Sequence, residues 1–366
     1  MSRQRIIALL GRRDSPTDAV EEYCRYLGEA LLAQDYDLKI ERVDWNERGW
    51  VSALRGLRRG AKSWGGTWVL VQYTALAWSA RGFPVRFLRV LKTLHAAGAR
   101  IGVVYHDVEP YSGTRVIDRL RRGAQLRAMR HALRASEAAI FTVPPEKVSW
   151  IGNQARNVFF APVGANLPTS GEASSARRNT SADGKLTIAV YGITGGEAGK
   201  KEIENIAEAV RFAASRVKNV LLVVLGRNSQ SAETELKKLL GNTGVELHVV
   251  GVLSSEDVVR TLSVSDLLLF VRGHISTRRG SAIAGIACGL PVVAFAGAET
   301  APPITEAGLA LFSPDKKGDL GDVLLRVLED EHYRVSLAQR SWLAQAEYFS
   351  WGAIAARYAE FLRKEN

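Results

Sequence analysis

Short apolar runs alternate along the whole chain with longer amphipathic segments, and this alternation restricts the fold more than any other feature. The apolar runs of the first half predict strands at residues 5–10, 38–43, 68–72, 101–105, 139–142 and 158–161. Helical spacing separates most of them, at residues 17–33, 85–97 and 116–135. The second half repeats the plan, with strands at residues 186–191, 220–225, 246–250, 266–271 and 292–295. Such alternation predicts an α/β protein with parallel sheets built from right-handed βαβ units.

The length of 366 residues favours two domains, because a single core rarely grows that large. Residues 168–185 are rich in Ser, Thr, Gly and charge, so we expect a linker there, between domains at residues 1–167 and 186–349. The two cysteines, Cys24 and Cys288, form no disulfide framework and suit a reducing compartment. No segment reaches the ~18 apolar residues of a membrane span, and we expect a cytoplasmic protein.

The net charge of +11 lies entirely in the first half. Residues 1–165 contain 26 Lys and Arg against 15 Asp and Glu, whereas the remaining residues are balanced. This asymmetry predicts a polyanionic partner or an anionic membrane surface for the first domain. Nucleic acid is the less favoured partner, because the arginines are not interleaved with stacking aromatic residues and no recognition motif is present.

Residues 266–296 predict a binding site for phosphate. A buried strand leads into a polar loop ending in Arg278, Arg279, Gly280 and Ser281, and a short helix then stops at Cys288-Gly289. The start of a helix favours an anion, and arginine grips phosphate oxygens in a bidentate way. Ligands also usually bind at the carboxyl ends of strands in α/β folds. The alternative is that both arginines merely solvate a loop.

Two further turns carry glycine and charge directly after predicted strands. Gly192 to Lys201 contains four glycines followed by Lys200 and Lys201, which is a plausible anion-binding loop. Its pattern is neither GxxxxGK[ST] nor GxGxxG, so a P-loop ATPase and a nicotinamide fingerprint are excluded. The second turn is Gly11-Arg12-Arg13-Asp14, where a glycine lets the backbone approach a ligand. No spacing of His, Cys or carboxylates predicts a metal site.

Several segments resemble GT-B-fold glycosyltransferases of family 4, the retaining, sugar-nucleotide-dependent group. The resemblance rests on GIACGLPVVAF, VLLVVLG, LHVVGVLSSEDVVRTLSVSDLLLFV, VVYHDVEP, FAPVGAN and the closing YFSW. It implies two doubly wound Rossmann-like domains facing across a cleft, the second binding the donor, with neither metal nor cofactor. It also implies that a helix at residues 350–366 crosses back onto the first domain, and that His106 contacts the transferred sugar. Asp107 and Glu109 are candidates to orient His106.

The chain departs from the family pattern at its acidic pair. The family usually carries two glutamates eight residues apart, and those positions fall on Ser276 and Ala284, so the ribose-binding carboxylate is missing. The family's phosphate-binding arginine falls near Ile193, and its lysine is matched best by Lys201. We expect Arg278 or Arg279 to replace that arginine. The expected catalytic set is His106, Arg279 and Lys201, because retaining transfer depends mainly on stabilising the departing diphosphate.

Further contacts with the donor are expected from Arg278, Gly280, Ser281, Gly192 and Lys200. The backbone of Gly251, Val252 and Leu253 is expected to face the nucleotide base of the donor. On the first domain, Gly11, Arg12, Arg13 and Asp14 are expected to meet the acceptor. Tyr73, Trp78 and Phe83 flank a loop that could line an acceptor pocket, although core positions are equally consistent with these aromatic residues. Basic helical segments at residues 83–95 and 115–134 favour a protein peripheral to the inner face of a membrane, with solvated helix faces as the alternative.

The sequence therefore predicts a glycosyltransferase of hexosyltransferase type. It would move a sugar from a nucleotide donor to a glycan or lipid-linked acceptor, with retention and without metal, in polysaccharide biosynthesis. Two alternatives stay open: a catalytically silent GT-B module that binds partners, and another GT-B sugar-nucleotide enzyme such as an epimerase. The donor sugar, the base and the acceptor cannot be chosen from the sequence.

Overall fold

The computed structural model describes residues 3–15, 18–152, 157–168, 184–313 and 319–364 and divides the chain into two compact units. The first unit comprises residues 1–162 together with 351–366, and the second comprises residues 163–350. The chain therefore enters the second unit ahead of the expected linker, most of which (169–183) lies outside the described residues. Val163 N donates to Thr277 O at 3.0 Å, which ties the entering segment to the second unit.

The first unit contains a six-stranded parallel sheet in the order β2-β1-β3-β4-β5-β6. Its strands are β1 Gln4–Leu10, β2 Tyr36–Arg42, β3 Trp68–Tyr73, β4 Arg100–Tyr105, β5 Ala138–Phe141 and β6 Val158–Phe160. Its helices are α1 Ala19–Leu31, α2 Trp45–Gly60, α3 Phe87–Ala96, α4 Val116–Ala135 and α11 Trp351–Lys364. All six strands are predicted by the sequence; α2 is not.

Helix α11 packs on α1 although more than three hundred residues separate them in the chain. The hydroxyls of Tyr23 and Tyr358 are 2.9 Å apart, and Trp351 stacks on Tyr26 with ring centroids 5.7 Å apart. Both Tyr23 and Tyr358 are buried, so each hydroxyl needs the other as its partner. The last helix is thus a structural part of the first unit.

The second unit contains a parallel sheet in the order β12-β11-β10-β7-β8-β9. Its strands are β7 Leu186–Tyr191, β8 Val220–Leu225, β9 Glu246–Gly251, β10 Leu267–His274, β11 Val292–Phe295 and β12 Leu309–Phe312. Its helices are α5 Gly196–Ala214, α6 Ser229–Leu240, α7 Ser255–Ser263, α8 Gly280–Ala287, α9 Leu320–Glu329 and α10 Glu331–Ala344. The sequence predicts the first five strands; it misses β12 and ends β10 three residues early.

Each sheet reverses its strand order at one point, and this reversal places a crevice at the carboxyl ends of two neighbouring strands. In the first unit these strands are β1 and β3, and in the second unit they are β7 and β10. Both sheets are therefore doubly wound, as predicted. Open α/β sheets bind their ligands at this topological switch point.

Gly289 ends α8 in a conformation that a side chain tolerates poorly. Its φ is +61°, and a Cβ there would overlap the ring of Trp342. Gly289 N and Leu290 N donate to Ile286 O and Gly285 O, which satisfies the last carbonyls of the helix. The glycine that the sequence marks as a stop signal is thus required both by its backbone angle and by its packing.

Gly289→Ala is expected to lower the free energy of unfolding of the second unit by about 3 kcal/mol, from left-handed backbone strain and overpacking against Trp342. Urea denaturation followed by circular dichroism would measure this. Gly280→Ala is the matched control, because a Cβ at Gly280 meets nothing within 4 Å. An equal effect of both substitutions would contradict the packing argument.

Candidate functional site

An irregularity in β10 shapes the crevice of the second unit. The pairing of β10 with β11 runs regularly to Phe270 and resumes only at His274, so the intervening residues have no partner on β11. Gly273 in this stretch has a φ of +74°. Bulges of this kind redirect side chains near functional sites. Here the bulge holds Arg272, which the sequence prediction missed.

Arg272 lies against the glycine turn that follows β7. A Cβ on Gly192 would stand 3.1 Å from Nη1 of Arg272, so the absence of a side chain at Gly192 makes room for this guanidinium. The Nε atom of Arg272 is buried and finds no hydrogen-bond partner. Within the described part of the chain, no carboxylate pairs with Arg272. A buried cation without a counter-charge is costly unless an anion binds beside it.

Arg279 is the second cation of this crevice. Its Nε donates to His274 O at 3.2 Å, while its terminal nitrogens pair with no carboxylate of the described residues. Burial and the neighbouring charge of Arg278 lower the pKa of Arg279 to about 10, so it remains charged at neutral pH. Arg279 and Arg272 thus bring positive charge to the crevice between β7 and β10 without an ion pair among the described residues, although the nearby charges of Glu299 and Glu202 act to raise the pKa of Arg279.

Arg278 does not take the predicted phosphate-binding role. Its Nε and Nη2 donate to the two carboxylate oxygens of Glu299 at 2.7 and 2.8 Å. Ser276 Oγ also donates to Glu299, at 3.1 Å. Burial would raise the pKa of Glu299, but the hydrogen bonds and charge of Arg278 hold it below its ordinary value. Arg278 is therefore occupied by a carboxylate that the sequence analysis did not single out.

The expected glutamate positions are structural in this chain. Ser276 is fully buried and bonded to Glu299, and Ala284 is fully buried among the apolar side chains of the second core. Neither position exposes an atom to a ribose. Ser281 and Gly280 open α8 beside Arg279, and both are reachable from solvent.

The turn after β7 is braced from the neighbouring strand end. Ile193 N donates to Arg227 O at 3.0 Å, and Asn228 Nδ2 donates to Ile193 O at 2.8 Å. Helix α5 begins at Gly196, without a side-chain cap, so its first N–H groups face outward. The two lysines therefore lie in the second turn of α5, one turn beyond their expected position.

Lys200 forms an exposed ion pair with Glu197 at 2.6 Å, which contributes little energy. Lys201 is exposed and has no partner among the described residues. At the end of β9, Gly251 has a φ of +77° and leaves room for Gln230, while Val252 is exposed and Leu253 packs against the core. The structure brings Gly192, Arg272 and Arg279 together and leaves Lys200 out.

In the first unit, the crevice between β1 and β3 contains a cavity of about 230 Å³ lined by polar and apolar residues. Gly11, Arg12 and Asp14 line it, together with Thr74 and Asp107. A Cβ on Gly11 would overlap Ala77 O, and Arg12 N donates to that same oxygen at 2.8 Å. The glycine is needed because the two loops touch through their backbones.

Arg42 holds this loop in place, a role the sequence did not reveal. Its Nη1 donates to Gly11 O at 2.8 Å, and its Nη2 donates to Asp18 and Glu21 at 3.1 and 2.9 Å. Asp18 also caps α1 by accepting from Val20 N and Glu21 N. Arg13, by contrast, points away to an exposed ion pair with Glu21.

Tyr73 is a core residue, which corrects its assignment to an acceptor pocket. Its side chain is fully buried between Phe87 and Tyr105, with ring centroids 5.1 and 5.5 Å away. Burial and the charge of Asp107 raise the pKa of Tyr73 above its ordinary value. An acceptor cannot reach this ring from the cavity.

His106 is oriented by Gln72, not by either of its acidic neighbours. Asp107 accepts from Ala75 N at 2.7 Å, and Glu109 accepts from Ser149 N and Oγ. Gln72 Nε2 donates to Leu70 O, so its Oε1 faces His106 Nε2 at 2.8 Å. The proton therefore lies on Nε2, and Nδ1 is left as an acceptor. His106 would therefore accept a hydrogen bond from a ligand through Nδ1, whereas it was expected to donate one.

Neither metal clusters nor membrane helices occur in the described residues. No group of three or more His, Cys, Asp or Glu side chains there could hold a metal ion. No described helix is long and apolar enough to cross a membrane.

Solved structures with this architecture are GT-B proteins. Sucrose-phosphate synthase of Thermosynechococcus elongatus is 19% identical, with a TM-score of 0.70 over 99% of both chains. Anabaena Alr3699/HepE, solved with UDP and glucose, is 14% identical, with a TM-score of 0.68 over 99% of this chain and 100% of that one. A Listeria monocytogenes protein described as a UDP-N-acetylglucosamine 2-epimerase is 14% identical, with a TM-score of 0.59 over 99% and 96%. The chain has the GT-B fold.

A comparison of the sequence with family models adds a second similarity. Residues 189–342 match the family model described as "Glycosyl transferases group 1". No curated protein matches the chain. The match covers most of the second unit, and together with the fold it confirms the predicted resemblance to GT-B glycosyltransferases.

Protonation of His106 at acidic pH is expected to lower the free energy of unfolding of the first unit. Burial lowers the pKa of His106 from 6.5 to about 4, which outweighs the raising effect of Asp18. Because the folded pKa is the lower one, the unfolded state binds the proton first. Stability is therefore full above pH 6.5 and is lost as the pH falls toward 4, by about 3 kcal/mol.

Urea denaturation at pH 7.5 and pH 4.5 measures this loss. His106→Gln should reduce the pH dependence, whereas His131→Gln, at an exposed position, should leave it unchanged. The same pH dependence in His106→Gln as in the unmodified chain would show that the acid sensitivity arises elsewhere.

Proposed function

We propose that this glycosyltransferase binds a nucleotide-sugar donor at the crevice between β7 and β10, with Arg272 and Arg279 gripping the diphosphate. The observation that carries this proposal is the pair of half-buried guanidiniums at this crevice, Arg272 beside Gly192 and Arg279 beside Gly273, neither of which pairs with a carboxylate of the described residues. Two bidentate donors at the switch point of a doubly wound sheet suit a diphosphate.

The proposed role of the two arginines follows from where negative charge develops during sugar transfer. When the bond between the sugar and the diphosphate breaks, negative charge grows on the departing phosphate. Arg272 and Arg279 are already fixed by the bulge and by His274 O, so they stabilise that charge without reorganising. Lys201 and the first N–H groups of α5 supply further positive potential. Transfer with retention and without metal agrees with this arrangement and remains part of the proposal.

The acceptor is proposed to be a glycan or a lipid-linked sugar bound at the first unit, in polysaccharide biosynthesis. The cavity lined by Gly11, Arg12 and Asp14 offers hydrogen-bonding groups of both signs. His106 is proposed to accept a sugar hydroxyl through Nδ1. Uridine diphosphate is the first nucleotide to test, because Alr3699/HepE was solved with UDP and glucose.

Arg272→Ala and Arg279→Ala should each weaken UDP binding by 10- to 100-fold, as loss of a charge-assisted phosphate contact does. Thermal shift reports this directly, since saturating ligand at a hundred times its Kd stabilises by about 2.7 kcal/mol. Arg260→Ala is the control, because that arginine is 76% exposed and its ion pair within the described residues is with Asp257 at the surface.

GDP, ADP, TDP and CMP complete the panel and identify the base. Unchanged binding in both crevice variants would overturn the site. Binding that persists without turnover of any nucleotide sugar would favour the silent module, and interconversion of the donor sugar without transfer would favour an epimerase.

A peripheral membrane role is proposed on the basis of the α4 patch, defined as Tyr111, Val116, Ile117, Arg119, Leu120 and Arg122. Val116 is 74% and Leu120 61% exposed, which is unusual for apolar side chains so close together. The one acid on α4, Asp118, is buried and paired with Arg121 at 2.8 Å. Apolar side chains surrounded by unpaired arginines suit an anionic bilayer surface.

Val116→Asp with Leu120→Asp should reduce binding to phosphatidylcholine–phosphatidylglycerol vesicles at least tenfold, because burial of each side chain contributes about 1.5 kcal/mol or more. Co-sedimentation measures this. Leu343→Asp, at a position 69% exposed in the second unit, should bind normally. Equal sedimentation of all three proteins would exclude docking through the α4 patch.

A further inference from the structure

A break in α2 creates a stacked pair of tryptophans. Residues five apart in an unbroken helix point about 140° away from each other, so Trp45 and Trp50 could not stack. Gly49 has φ +72° and ψ 155°, a conformation nearly restricted to glycine. The indoles consequently lie parallel, with centroids 5.0 Å and planes 8° apart. The break also explains why the helical pattern of α2 escapes sequence analysis.

These indoles form a wall of an open groove of about 540 Å³ in the first unit. We call it the tryptophan groove; its principal lining residues are Trp45, Asn46, Trp50, Ser79, Arg81 and Arg86. Trp45 Nε1 is bonded to Ala77 O at 2.8 Å. Trp50 Nε1, in contrast, has no partner in the described chain. Trp50 therefore offers a ligand both a ring surface and a hydrogen-bond donor.

The opposite wall is a loop held in one conformation. Ser79 Oγ accepts from Phe83 N at 2.9 Å within the loop. From α4, Arg121 Nε donates to Arg81 O at 3.0 Å, and Gln125 Nε2 donates to Gly82 O at 2.9 Å. The backbone that carries Arg81 is thus preorganised.

The charged side chains that line the groove are both positive, Arg81 and Arg86. Arg86 lies with its guanidinium carbon 5.8 Å from the Trp50 ring centroid, and the Arg81 side chain is exposed. Neither forms an ion pair within the described residues, and none of the residues lining the groove carries a carboxylate. Charge complementarity therefore favours an anionic ligand.

The groove and the cavity at the β1–β3 crevice lie on either side of the Ala77 carbonyl. Ala77 lines that cavity, and its carbonyl accepts both from Trp45 Nε1 on the groove side and from Arg12 N on the cavity side. The two openings are therefore neighbours within the first unit, which suits a ligand made of linked sugar residues.

We propose that the tryptophan groove binds an acidic sugar residue of the acceptor, with Trp50 against the ring and Arg81 and Arg86 on its carboxylate. Indole surfaces suit the apolar face of a pyranose, Asn46 and Trp50 Nε1 suit its hydroxyls, and paired guanidiniums suit a carboxylate. This assignment of the ligand as an acceptor rests on the proposed function. The acceptor is thus a glycan of at least two residues, one of them a uronic acid.

Isothermal titration of the full chain with hexagalacturonate tests this, with maltohexaose as the neutral counterpart. Arg81→Ala with Arg86→Ala should weaken hexagalacturonate binding at least tenfold, and Gly49→Ala at least threefold. Arg58→Ala with Arg59→Ala removes equal charge from the exposed end of α2 and should change binding less than twofold. Maltohexaose should bind at least tenfold more weakly than hexagalacturonate.

Several results would overturn the proposal: no saturable binding of hexagalacturonate, equal binding of maltohexaose, or an equal loss in the Arg58 and Arg59 variant. The groove would be a lipid site instead if the chain bound phosphatidylglycerol vesicles, lost that binding in the Arg81→Ala and Arg86→Ala variant, and did not bind hexagalacturonate. UDP binding at the second unit is measured separately. Failure of the donor site therefore leaves the groove result intact, and failure of the groove leaves the donor site intact.

Discussion

The bidentate ion pair between Arg278 and Glu299 determines which cations of the second unit stay available to an anion. Both partners are largely buried, with side-chain exposures of 22% and 16%. Removing one partner of such a pair leaves an uncompensated charge and costs about 3 kcal/mol or more. Arg278 therefore connects the loop after β10 to the loop after β11. Arg279, the next residue, and Arg272, in the bulge, keep their charge free.

The first unit uses a comparable arrangement at its own crevice. Arg42, at the end of β2, spans Gly11 O, Asp18 and Glu21, so that one guanidinium connects β2, the loop after β1 and the start of α1. The loop can then present Arg12 and Asp14 to the cavity while its backbone rests on Ala77. In both units, one arginine holds the loop so that others can meet a ligand.

The fold was largely predictable because buried parallel strands are apolar along their whole length. The central strands follow from this pattern, and the edge strands β2 and β9 were predicted although they carry charged, exposed residues. Strand β12, with the four residues LALF at the other sheet edge, was missed. Helix α2 was missed because its break at Gly49 interrupts the helical spacing. The candidate site was less predictable: the arginine–glycine segment indicated the crevice between β7 and β10, but the sequence showed neither that Arg278 pairs with Glu299 nor that Arg272 lies beside Gly192.

The sequence by itself determined the α/β class, the two doubly wound units, the glycine that ends α8 and the concentration of positive charge in the first half. These are local properties, set by apolar runs, by backbone angles and by counts of residues. Only the tertiary structure decided which arginines are free, which nitrogen of His106 carries the proton and which tryptophans stack. Those outcomes depend on partners distant along the chain, such as Glu299 for Arg278 and Gln72 for His106, or on a single backbone angle at Gly49. Spacing along the sequence does not specify such partners.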